Sequence, residues 1–125
     1  MYATGRCSPD TLDRHAIDAV IHLAGKKNVS KSVADPLHYC DANLGGGVPL
    51  LQALQERAVP NQVFSPSAAV YGRTGSGTED EKTTVQPNNP YGRTNLIIED
   101  IFSDAVSTGA ISLRYFNTIG AHPSE

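Results

Sequence analysis

The 125-residue sequence has no apolar run approaching the roughly 20 residues that a membrane-spanning helix requires. Its first residues, Met1-Tyr2-Ala3-Thr4-Gly5-Arg6-Cys7, carry no apolar core of the signal-peptide kind. There is no basic stripe to neutralise phosphates, which argues against nucleic acid as a partner. There is also no acidic tail to argue for disorder. Two cysteines, Cys7 and Cys40, are too few and too far apart for a zinc site or a disulfide framework, and both are expected to be reduced. The match of Asn28-Val29-Ser30 to a glycosylation acceptor is read as chance, for want of a secretion signal. Internal repeats and low-complexity tracts are absent too. What remains is a chain with 39% hydrophobic and 18% charged residues and a net charge of -3, ordinary for a globular domain. A soluble, cytoplasmic protein with one domain's worth of core is expected.

Short apolar segments alternate with longer helical stretches, the pattern of a parallel α/β sheet. Ala19 to Leu23 reads as a buried strand, Gln62 to Ser65 as a second, and Ile111 to Phe116 as a third. Asp35-Pro36 has the form of an N-cap followed by proline at the first helical position. Leu37, Cys40, Leu44, Leu51 and Leu54 continue from it at helical spacing. Gly45-Gly46-Gly47 and Pro49 fall inside that run. A glycine costs about 1 kcal/mol and a proline about 3 kcal/mol within a helix, so a break is expected there, with Pro49 opening a second piece. Gly72 to Asn89 reads as a long surface loop. Asn89-Pro90 opens a helix whose apolar stripe is Ile97, Ile98, Ile101, Phe102 and Val106, and Ser107-Thr108-Gly109 closes it.

The carboxyl ends of the three expected strands lead into Ala24-Gly25-Lys26-Lys27, Ser65-Pro66-Ser67-Ala68 and Asn117-Thr118-Ile119-Gly120. Ligands of open parallel sheets bind outside that edge. The polar candidates therefore share one rim. His22 is expected in the core, and His122 in a loop with no second metal ligand at suitable spacing. Glu79-Asp80-Glu81 is expected to be a solvated run and not a metal site.

Four motifs occur in order: Val20-Ile21-His22-Leu23-Ala24-Gly25, Ser67-Ala68-Ala69-Val70-Tyr71-Gly72, Asn89-Pro90-Tyr91-Gly92, and Leu113-Arg114-Tyr115-Phe116-Asn117 with Gly120 to Ser124 beyond it. Together they resemble the UDP-glucose 4-epimerases of the extended short-chain dehydrogenase/reductase superfamily, over essentially the whole chain. The resemblance implies an NAD-dependent isomerase that interconverts UDP-glucose and UDP-galactose, in galactose metabolism, through a 4-keto sugar. In that family a tyrosine takes the 4-hydroxyl proton while bound NAD takes the C4 hydride. A free phenol titrates near ~10, so a lysine four residues on, on the same helix face, stabilises the phenolate. By resemblance Tyr91 is the proton-transfer residue and Ser67 its hydroxyl partner, both touching substrate. Ala24, Gly25 and Lys27 line the cofactor, Phe116 packs near the nicotinamide, and Asn117 contacts the sugar nucleotide. A homodimer, formed through the tyrosine-bearing helix and the one before it, is also implied.

The sequence departs from the family in specific places. Asn95 stands where the lysine belongs, and a neutral amide stabilises no phenolate as an ammonium does. Arg93 lies about 200° round the helix from Tyr91. Ala42 replaces an asparagine that contacts the cofactor in the family, with Asn43 beside it. No glycine-rich first turn and no carboxyl-terminal substrate domain is found in the sequence. Residues 1–125 are thus expected to be the central part of an NAD-binding domain, a partial Rossmann-like doubly wound parallel sheet lacking its first βαβ unit. Two other readings stand beside the epimerase. A sugar-nucleotide 4,6-dehydratase places an acidic pair where this chain has Ala68-Ala69, which counts against it. A truncated relative that only binds a nucleotide sugar is favoured by Asn95.

Overall fold

A computed structural model describes residues 9–73, 77–106 and 109–120. Cys7, His122 and the motif residues from Ala121 to Ser124 lie outside them. The elements run α1 (Pro9–Arg14), β1 (Ala19–His22), α2 (Val29–Ala34), α3 (Pro36–Glu56), β2 (Asn61–Phe64), α4 (Pro90–Ala105) and β3 (Ala110–Ser112), with a 3₁₀ turn at Ala68–Val70 after β2. The three strands are parallel in the order β1-β2-β3. Consecutive strands lying side by side and joined by right-handed crossovers put both connecting helices on one face. Accordingly α3 and α4 cover the same side, where Leu51, Phe64, Ile98 and Phe102 form the core. No described helix is long and apolar enough to cross a membrane.

The cap signals act as expected. Asp35 accepts a hydrogen bond from His38 N–H, and Asn89 accepts one from Gly92 N–H at 2.8 Å, with proline following each cap. The described residues between Tyr71 and Asn89 form no helix or strand, as expected of a loop, while the short helices α1 and α2 were not anticipated. The third strand stops earlier than expected, at Ser112. Beyond it the chain still follows β2's continuation through an isolated bridge between Ser67 and Tyr115, where Tyr115 N–H donates to the carbonyl of the buried Pro66.

The expected break in α3 does not occur: one helix runs from Pro36 to Glu56 with Pro49 inside it. Pro49 and Gly45 both lie on the exposed side, so the Gly45 carbonyl left without a donor faces water. The cost of about 3 kcal/mol is offset by burying Leu51 and Leu54, at about 1.5–3 kcal/mol each, with Leu44 and Val48 packed beside them. Gly47 permits the close approach of the two helices, since a Cβ there would lie 2.6 Å from Ile98 Cδ1.

A second correction concerns the sheet faces. The strand at Ala19 to Leu23 was expected to be buried, but alternation leaves Ala19 and Ile21 exposed and Val20 and His22 half-buried. Phe64 is buried beneath α3 and α4, and Val20 lies on the same face. Ile21, Val63 and Ile111 are aligned in register on the other face, where Ile21 is 63% and Ile111 55% exposed.

Candidate active site

The carboxyl ends of the strands and the first turns of α4 enclose a cavity of about 430 Å³. Its walls bring together Ala24, Gly25, Lys27, Ser67, Tyr91, Asn95, Phe116 and Asn117. Every residue singled out in the sequence for binding or proton transfer thus faces one space, of the size small-molecule sites have.

Each wall has a local cause. Ser67 sits at the end of the β2 segment and caps the 3₁₀ turn, its Oγ accepting from Ala69 N–H at 3.2 Å. Because the hydroxyl accepts there, its proton is available to donate into the cavity. Tyr91 follows Pro90 in the first turn of α4. Gly92 lets that turn approach the serine loop, since a Cβ on it would meet the Ala69 carbonyl oxygen at 2.4 Å. Phe116 stacks on Tyr71 with ring centroids 6.1 Å apart. Tyr71 is held in turn by Arg114, whose Nη1 donates to its hydroxyl at 3.0 Å. Arg114 also pairs with the buried Glu99, 3.0 Å away.

Asn95 does not replace an ammonium. It is 9% exposed, and its Nδ2 donates back to the Tyr91 carbonyl at 2.9 Å. Arg93 is exposed and forms no part of the cavity wall. The cavity's lysines come instead from the β1–α2 loop, where both Lys26 and Lys27 contribute. His22 is half-buried rather than a core residue; it stacks on Phe64 at 5.6 Å and borders the cavity. Burial pushes its pKa below the usual histidine value. Among the described residues no His, Cys, Asp or Glu cluster forms a metal site.

Two further residues line the cavity: Asn43, noted in the sequence as the neighbour of Ala42, and Thr94, which the sequence reading missed. Asn43, and not Ala42, faces the cavity: its Oδ1 accepts from Lys26 N–H at 2.8 Å, and its Nδ2 donates to the Lys26 carbonyl and to Thr94 Oγ1. Thr94 is almost fully buried and donates to the Tyr91 carbonyl at 2.8 Å. The only sequence signal for it was its place three residues after Tyr91, on the same helix face.

Residues 6–125 match the model of the NAD dependent epimerase/dehydratase family. The chain is 48% identical over 111 residues to UDP-glucose 4-epimerase 2 of Oryza sativa subsp. japonica, covering 86% of this chain and 27% of that protein. It is 42% identical over 128 residues to the UDP-glucose 4-epimerase of Bacillus subtilis, covering 92% of this chain and 38% of the relative. Among solved structures, the UDP-glucose 4-epimerase of Brucella ovis in complex with NAD superposes with a TM-score of 0.85 at 41% identity, covering 91% of this chain and 36% of that one. The chain therefore spans about a third of the length of the proteins it resembles.

Proposed function

The chain belongs to the NAD dependent epimerase/dehydratase family, and we propose that it is the part of a UDP-glucose 4-epimerase that carries the proton-transfer tyrosine. The supporting observation is the convergence of Tyr91, Ser67, Asn117 and the Ala24–Lys27 loop on one cavity. In this reading Tyr91 takes the proton of the sugar 4-hydroxyl, and Ser67 donates a hydrogen bond to the same oxygen. Asn117 holds the nucleotide sugar, UDP-glucose or UDP-galactose. Gly25, whose missing side chain leaves room beside Asn43, fits a cofactor lying along the loop, with Lys27 and Phe116 on either side. NAD, when bound there, supplies the hydride acceptor. A homodimer through α3 and α4 suits the unbroken course of α3, and it leaves the exposed Leu37 and Ile97 for the partner.

Asn95 supports a second reading, a relative that binds the nucleotide sugar without turning it over. Its amide is neutral and engaged with the Tyr91 carbonyl, so the charge that would stabilise a phenolate is missing from α4. Ala68-Ala69 weigh against dehydration in either case.

A chimera in which residues 9–120 replace the matching stretch of the Bacillus subtilis UDP-glucose 4-epimerase tests both readings. Under the first, it converts UDP-galactose to UDP-glucose in a dehydrogenase-coupled assay, and Tyr91→Phe abolishes the conversion. Under the second, it binds both sugars by calorimetry and converts neither. A folded chimera that binds neither sugar would refute both.

A further inference from the structure

We infer that Thr94 is a positioning residue, joining the backbone of Tyr91 to the Ala24–Lys27 loop through Asn43 so that the two sides of the cavity move together. Its functional meaning rests on the reading of Tyr91 as the proton-transfer residue. The direction of every bond in the network follows from one fact. Lys26 N–H can donate only to an acceptor, so the Asn43 atom it meets at 2.8 Å is the carbonyl oxygen. The amide nitrogen then points the other way, to the Lys26 carbonyl at 3.2 Å and Thr94 Oγ1 at 3.0 Å. Thr94 Oγ1 therefore accepts from Asn43, and its single proton goes to the Tyr91 carbonyl at 2.8 Å. Both amide protons and the oxygen of Asn43 are used, and Thr94 is 1% exposed, so water does not substitute readily for a lost bond.

The other side of Tyr91 is held as well. Its N–H, one of the orphan donors in a helix's first turn, donates to Ser32 Oγ at 3.2 Å. Ser32 is fully buried and donates in turn to the Val29 carbonyl of α2. Side chains from α2 and α4 thus fix both peptide groups of Tyr91, and α3 adds the link to the cofactor-facing loop. A threonine that merely turns its hydroxyl back on its own helix needs no Asn43 and transmits nothing to Lys26.

Hydrogen–deuterium exchange of the 125-residue chain, read residue by residue, separates the two cases. Thr94→Val keeps the shape but removes the hydroxyl. It is expected to speed exchange of the Lys26 amide roughly tenfold, the scale of losing one hydrogen bond's net contribution, and Thr94→Ser is expected to restore it. The Gln62, Val63 and Phe64 amides of β2 should not change. An unaltered Lys26 amide, or equal acceleration throughout α4 and the sheet, would overturn the inference. No ligand is needed, so the result is independent of whether the chimera turns over a sugar. Should the chimera be active, Thr94→Val is expected to lower kcat more than it raises KM, with Thr94→Ser again close to wild type; a change confined to KM would count against positioning.

Discussion

Consider replacing Ile21 and Ile111 together by threonine, which keeps the β-branched shape that strands favour while removing apolar surface. Both residues lie on the sheet face that α3 and α4 leave uncovered, in register on either side of Val63. Parallel sheets are normally covered on both faces, and consecutive winding in one direction puts the described helices α3 and α4 on one. Full burial of an isoleucine contributes about 1.5–3 kcal/mol. With Ile21 63% and Ile111 55% exposed, more than half of that remains unrealised, roughly 1 kcal/mol or somewhat more per side chain. Two copies meeting through these faces would gather two such residues from each, for roughly 4 kcal/mol per pair of chains. That corresponds to about a thousandfold in the association constant. The wild-type chain is therefore expected to self-associate in sedimentation velocity across a concentration series, and the double variant to shift strongly towards monomer. Folding stability should fall by only about 1–2 kcal/mol, the part of the burial that the two side chains already realise in the monomer. A wild-type chain that stays monomeric throughout, or a variant that associates equally well, would show that the open face does not drive association.

Other consequences follow from single residues. Gly92→Ala would place a Cβ 2.4 Å from the Ala69 carbonyl oxygen, so a loss of about 1–3 kcal/mol is expected from overpacking, read as a lower urea midpoint. Burial lowers the pKa of His22 in the folded chain, so on acidification the unfolded chain takes up this proton first, near ~6.5. Its contribution is then fully present above that pH and lost progressively as the pH falls towards the lowered folded value. His22→Gln should flatten this part of the pH dependence of urea midpoints; an unchanged profile would contradict the assignment. In the chimera, Asn95→Lys is expected to raise turnover by roughly a hundredfold or more, within the range of general-base effects. Equal rates with asparagine and lysine would mean that another cation, such as Lys27, supplies the charge.

Local chemistry made much of this protein legible in its sequence. The Asp35-Pro36 and Asn89-Pro90 pairs marked helix starts because capping and the fixed proline φ operate within a few residues. The strands at Ala19 and Gln62 were readable from their apolar character. The rim residues Tyr91, Ser67, Gly25, Lys27, Phe116 and Asn117 could be named because their motifs resemble those of a known family, and the strand ends alone pointed only to a shared rim. Tertiary structure decided the rest. Whether α3 survives Pro49 depends on burial against α4, and no local propensity contains that energy. Which apolar residues of β1 and β2 are buried depends on the face to which the crossovers bring the helices. The choice of Asn43 over Ala42 depends on the rotation of α3 about its axis relative to the loop. The contacts from Asn43 to Thr94 and from Ser32 to Tyr91 join residues 51 and 59 positions apart. A hydrogen bond acts over about 3 Å, so only the folded chain, by bringing α2, α3 and α4 to one rim, creates them.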